Sequence, residues 1–161
     1  MLFSGSSIVF FSGDVQKLKD DLALVKPTLF VSVPRLYSRF YDVIKAKFNE
    51  VGGMTKVGLD HALAVKLKNV TTNGGYTHRV YDPIFFNKTK QALGGRVRLM
   101  ISGSAPLLPE VQNFLKVVME APLIEGYGQT ESTGAAFIGD SSDPVVRHVG
   151  GPTVNYIIYI V

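Results

Sequence analysis

The sequence contains no cysteine, which excludes a disulfide framework, thiolate catalysis and any cysteine-built metal site. It also lacks a block of like charges. Seventeen lysines and arginines stand against thirteen aspartates and glutamates, a net charge of +4 spread over several segments, so no nucleic-acid footprint is present. No apolar run approaches the roughly 20 residues that cross a bilayer. The opening MLFSGSSIVFF has neither a charged leader nor a small-residue cleavage site, so the expected location is cytoplasmic, with export and membrane spanning disfavoured. The sequons at 69–71 and 87–89 then read as chance matches, because glycosylation needs a lumenal compartment. His61, His78 and His148 show no ligand spacing and are expected as surface or loop residues.

What is present is a globular composition, 46% apolar and 19% charged over 161 residues, enough for one domain or part of one. The run SIVFF, residues 7–11, is short, β-branched and aromatic and predicts a strand, with Asp14 as a candidate helix cap. In residues 15–26, Val15, Leu18, Leu22 and Val25 form one stripe of a helix that Pro27 stops. A strand follows in TLFVSV, residues 28–33. Pro34 suits the first turn of a second helix, with Leu36, Phe40, Val43 and Ile44 as its expected buried face.

From 49 to 95 the pattern is weaker, a loop and a helix followed by a turn, with Gly94 and Gly95 ending a further helix. RVRLMIS (96–102) then predicts a strand, GSAPLLP a loop, and PEVQNFLKVVME (109–120) a helix whose apolar period runs through Val111, Phe114, Leu115, Val118 and Met119. PLIEGYG, AAFIG and the terminal VNYIIYIV read as strands. Strands alternating with amphipathic helices predict an α/β fold with a parallel-rich sheet flanked by helices. The chain stops inside an uncapped apolar strand, the pattern expected of a fragment.

Ligands of open α/β sheets gather beyond the carboxyl ends of strands. Two segments qualify. In GYGQTE, residues 126–131, Gly126 and Gly128 bare the backbone for a flat ligand and Tyr127 offers a ring to a base. Thr130 supplies a neutral donor for a phosphate oxygen, and Glu131 a hard anionic oxygen of the kind Mg2+ accepts. In SGSAPL, residues 102–107, Gly103, Ser104 and Ala105 permit close approach and Pro106 stiffens the turn. Together they describe a Mg-nucleotide site, although glycines also mark turns and tyrosines also fill cores. One helix separates the segments, so neighbouring strands would bring them to one edge. A dinucleotide fingerprint fails, because Glu131 stands where its third glycine belongs. A serine nucleophile elbow fails as well, because Gly103-Ser104-Ala105 does not complete G-x-S-x-G.

EGYGQTES, residues 125–132, resembles the tyrosine-glycine-x-threonine-glutamate motif of adenylate-forming enzymes. RLMISGSAPLLPEVQNFL resembles the segment that precedes this motif in long-chain fatty acid:CoA ligases. The resemblance extends upstream through GDVQKLKDDLALVKPTLFVSVPRLYSRFYDVIKAKF and downstream through VRHVGGPTVNY, covering nearly the whole chain.

It implies that residues 1–161 are a central piece of the large N-terminal domain of such a ligase. It implies ATP and Mg2+ as cofactors, coenzyme A as co-substrate and a fatty acid as substrate, with nucleic acid excluded as a partner and loose association of the parent with the cytosolic face of a membrane. Thr130 and Glu131 would be its catalytic residues, Thr130 on phosphate and Glu131 on the metal. Gly103, Ser104, Ala105, Glu125, Gly126, Tyr127 and Gly128 would line the nucleotide. Similar enzymes also carry a serine-, threonine- and glycine-rich loop ending in lysine, a downstream aspartate on ribose and a lysine on a C-terminal domain, and none of these occurs in this sequence. Where such ligases have an acidic residue and a lysine after NY, this chain has Ile157, Ile158 and Tyr159. The expectation is an inactive fragment of an active enzyme. The alternatives are another acyl- or aryl-adenylating enzyme and a non-catalytic nucleotide-binding or interaction module.

Overall fold

The computed structural model describes residues 5–14 and 16–153. Among them the elements run α1 (Leu18–Val25), β1 (Leu29–Ser32), α2 (Pro34–Glu50), α3 (Gly53–Asn73), a π-type turn (Asp82–Phe86) that leads through α4 (Asn87–Lys90) into a 3-10 turn (Gln91–Leu93), β2 (Leu99–Ser102), α5 (Pro109–Met119), β3 (Leu123–Gln129), a 3-10 turn (Thr130–Ser132), β4 (Gly134–Ile138) and β5 (Gly151–Pro152). The strands form one sheet in chain order.

Pairing changes sense in the middle of that sheet. β1, β2 and β3 are parallel, with Leu29 opposite Leu99 and Met100 opposite Leu123, whereas β3 with β4 and β4 with β5 are antiparallel. The expectation of parallel pairing therefore holds only where a helix supplies the crossover. Between β3 and β4 there is a single 3-10 turn, too short to return the chain in the same direction.

Three further expectations need correction. Residues 7–11 are not a strand: they lie outside the sheet with Val9 and Phe10 exposed, because an apolar β-branched run becomes a strand only where a partner offers its hydrogen bonds. Asp14 does not cap a helix. Its Oδ1 accepts from the Gln16 N–H at 2.8 Å and closes a turn, and the helix starts at Leu18 after Lys17. The face of α2 is shifted from the one expected: Ile44 is buried and Leu36 and Phe40 pack partly buried on the core as expected, but Val43 is 49% exposed and Tyr37 and Tyr41 are buried instead. The Tyr37 hydroxyl lies 3.0 Å from the Phe30 carbonyl and 3.1 Å from that of Ile101. Its polar tip is thus satisfied inside the core, and burial pushes its pKa up. Val15 and residues 154–161, expected on a helix stripe and in a strand, lie outside the described residues.

The core is a layer of helix side chains on the parallel strands. Met100 and Leu123 from the sheet meet Leu115, Val118 and Met119 from α5, all within 1% of full burial. Edge-on contacts of Phe114 with Tyr41 (5.0 Å) and Phe48 (6.0 Å) lock α5 against α2. Beside them Lys66 and Asp82 form a buried ion pair, and Lys66 sits 4.6 Å from the ring centre of Phe86. No helix among the described residues is long and apolar enough to cross a membrane.

Candidate nucleotide site

β2 and β3 are adjacent and parallel, so their carboxyl ends open on the same side. Ser102, the last residue of β2, pairs in register with Glu125. Beyond Ser102 the chain turns through residues 103–108 into α5, with Ser104 in the left-handed region (φ 74°). Beyond Glu125, β3 runs on through the glycines, as the strand expected over PLIEGYG requires. It continues to Gln129 by exchanging its parallel partner β2 for the antiparallel partner β4, with an irregularity between Tyr127 and Gly128. Residues 126–131 are therefore a strand edge followed by a turn.

Glu125 ties the two segments together. Buried at 6% exposure, its Oε2 accepts the Leu107 N–H at 2.9 Å, and its main-chain carbonyl accepts the Gly139 N–H at 2.9 Å. A carboxylate used this way fixes the loop before α5 against β3 and β4. The Ser102 hydroxyl beside it is buried without a hydrogen-bond partner.

Tyr127 is 46% exposed, its ring centre 6.1 Å from that of Phe137 and its hydroxyl 2.6 Å from Gln129 Nε2, which donates to it. The two glycines around it have different reasons. A Cβ on Gly128 would lie 1.9 Å from the Gly134 carbonyl oxygen, so the hairpin itself requires glycine there. A Cβ on Gly126 would meet the Phe137 carbonyl at 3.4 Å, and one on Gly103 the Gly126 carbonyl at 3.6 Å. Both are tolerable contacts that leave those glycines to small-residue approach. Thr130 and Glu131 are exposed in the 3-10 turn. That turn is closed by the Thr133 N–H on the Thr130 carbonyl (3.1 Å) and by Ser132 Oγ, which accepts the Gln129 N–H (2.9 Å).

A cavity of about 570 Å3 gathers Ser104, Ala105 and Pro106 from one segment with Glu125, Gly126, Tyr127 and Gly128 from the other. Of the nine residues assigned to the nucleotide in the sequence, six meet on this wall, whereas Gly103, Thr130 and Glu131 are not on its lining. Leu107, Leu108 and Pro109 line it too, as do Arg147, His148 and Val149, the last three from the segment VRHVGGP, to which the sequence assigns no role beyond a loop histidine at His148. Their position depends on the fold of residues 139–150 over β4, for which the sequence carries no period. His148 Nδ1 accepts the Gly150 N–H (3.1 Å), which puts the ring proton on Nε2, 3.2 Å from the Val145 carbonyl and 3.5 Å from Asp143 Oδ2. His78 is structural: it stacks on Tyr81 at 4.3 Å, and its Nδ1 accepts main-chain N–H groups. A larger cavity of about 730 Å3 lies between α1, α2 and the segment 85–92, but it contains no residue of either segment.

The AMP-binding enzyme family matches this sequence over residues 1–161. The chain belongs to that family. Among curated relatives it is 41% identical over 151 residues to the peroxisomal long chain acyl-CoA synthetase 7 of Arabidopsis thaliana, covering 94% of this chain and 21% of that protein. It is 37% identical over 161 residues to long-chain-fatty-acid–CoA ligase 1 of Homo sapiens, covering 100% and 23%. The chain thus spans about a fifth of the length of the curated relatives it matches. Among solved structures, the adenylation domain of a carboxylate reductase from Mycobacterium chelonae matches with a TM-score of 0.55 and 26% identity, over 78% of this chain and 16% of that one.

Proposed function

We propose that the chain forms the nucleotide-holding part of a long-chain fatty acid:CoA ligase. In that reaction the fatty acid carboxylate attacks the α-phosphorus of ATP, pyrophosphate leaves, and the coenzyme A thiol then displaces AMP from the acyl-adenylate to give the thioester. The observation that carries the reading is the meeting of the β2–α5 loop and the outer half of β3 over one cavity. Displacement at phosphorus needs positioned charge more than a protein nucleophile, and the cavity offers a ring and bare backbone to position a nucleotide.

In this reading Tyr127 stacks on adenine, with Gly126, Gly128 and the Glu125 main chain beside it. Gly103, Ser104 and Ala105 run along the base and the acyl end of the adenylate. Thr130 donates to phosphate, and Glu131 holds Mg2+. Among the described residues no three histidine, aspartate or glutamate side chains gather into a metal cage. Mg2+ does not need one, because it takes one or two carboxylates with substrate phosphates and water, and an exposed lone carboxylate in the turn after β3 fits that habit. When bound, the ion would offset negative charge on the phosphates. Fatty acids partition into bilayers, so the reading includes loose association of the whole protein with a cytosolic membrane face.

The test is thioester formation from ATP, coenzyme A and acids of graded length by the natural polypeptide that carries this segment. Turnover should favour long-chain acids, and Glu131→Ala should lower it by at least about a hundredfold, the scale of losing one charge-stabilising group. Turnover with aryl or short-chain acids alone would refute the substrate. The isolated 161 residues, with no lysine-ended phosphate loop in their sequence, should show negligible turnover.

A further inference from the structure

Resting on that nucleotide reading, we propose that Arg147 is a base-contacting residue, its guanidinium meeting the purine in the cavity it shares with Tyr127. Among the described residues Arg147 is the only permanent cation on the cavity lining, and it makes no ion pair with any of them. An exposed arginine on a loop would ordinarily mean nothing. This one, however, occupies the left-handed region at φ 73°, where a side chain bearing Cβ is disfavoured and glycine is at ease.

The surroundings hold it there. On one side His148 Nε2 lies 3.2 Å from the Val145 carbonyl, and on the other His148 Nδ1 accepts the Gly150 N–H at 3.1 Å. Gly150 itself presses on β4 so closely that a Cβ would fall 2.0 Å from the Ile138 carbonyl oxygen. A strained conformation that its neighbours over-determine is a place to look for function.

The position of the cation selects the part of the ligand it meets. Thr130 and Glu131, assigned to phosphate and metal, are not on this lining, whereas Tyr127 is. Arg147 therefore shares the aromatic end of the site. A guanidinium is planar and donor-only, stacks on π faces and donates to ring nitrogens, all of which suit a purine and none of which requires a phosphate.

The natural polypeptide carrying this segment would be titrated with MgATP, AMP and adenosine, as wild type, Arg147→Gly, Arg147→Asn and Tyr127→Ala. Glycine relieves the backbone strain and asparagine tolerates it, and both remove the cation. The expected result is a loss of about tenfold for all three ligands in both Arg147 variants, the scale of a desolvated cation–π contact, with no fall in the melting temperature of Arg147→Gly. Unchanged affinity, a loss confined to the phosphorylated ligands, or a loss that tracks lowered melting in both variants would overturn the assignment to Arg147 while leaving the nucleotide site standing. Absence of wild-type binding, or indifference to Tyr127→Ala, would instead sink the nucleotide reading and this inference with it.

Discussion

The inner and outer halves of β3 are one strand with two lives. Leu123, Ile124 and Glu125 are buried and pair in parallel with β2, whereas Tyr127, Gly128 and Gln129 are exposed and pair antiparallel with β4. The inner half is held by α5 and the apolar core. The outer half is held by hydrogen bonds to a hairpin and by the Glu125 link to the loop before α5. The sheet thus carries an exposed edge on a rigid root, so a side chain such as that of Tyr127 can change there without changing the fold.

The contrast can be broken from the root outward. Leu123→Ala, at a fully buried position, should cost about 3 kcal/mol of unfolding free energy, read from denaturant midpoints of the natural polypeptide. Loss of under about 0.5 kcal/mol would mean that the inner half is not core. Gly128→Ala should cost about 1–3 kcal/mol, because the hairpin must shift to admit a methyl group against the Gly134 carbonyl. It should also weaken nucleotide binding, and a neutral result would show that the hairpin is not closed as described.

The smallest effect lies on the exposed side of the helix layer, where Glu110 on α5 meets α2. Its Oε1 accepts from the Tyr41 hydroxyl and from Lys45 Nζ, the latter at 2.9 Å. The Tyr41 bond first, and then Lys45, hold the carboxyl below its ordinary value of 4.5. A lowered folded value means that the contact stabilises above pH 4.5 and is lost as pH falls through that folded value. Wild type and Glu110→Gln should therefore differ slightly at neutral pH and converge in acid, and a gap that widens on acidification would contradict the assignment.

Much of this architecture is legible in the residues themselves. α1, β1, α2, β2, α5 and β3 fall near their expected places because their apolar periods and proline stops are local signals. The features that were misread depend on partners remote in sequence. Residues 7–11 have strand chemistry and no strand to join. Tyr37 is buried because carbonyls of Phe30 and Ile101 satisfy its hydroxyl, and Ile101 is 64 residues away. Gly128 reads equally well as room for a ligand or room for a hairpin, and only the approach of Gly134 decides. The six candidate residues on the cavity wall are legible because each lies at or just beyond the carboxyl end of a parallel-paired strand segment. Arg147 and His148 are not, because a loop folded over β4 has no period to read.

The central claim is that the exposed half of β3 seats Mg-nucleotide, with the ring of Tyr127 on the base and the carboxylate of Glu131 on the metal. Calorimetric titration of the natural polypeptide with ATP, with and without Mg2+, tests it most directly. Tyr127→Ala should weaken binding by about tenfold whether or not the metal is present, the scale of one base-stacking contact, while Glu131→Ala should weaken it only when Mg2+ is added. Affinity that survives both substitutions unchanged would contradict the account.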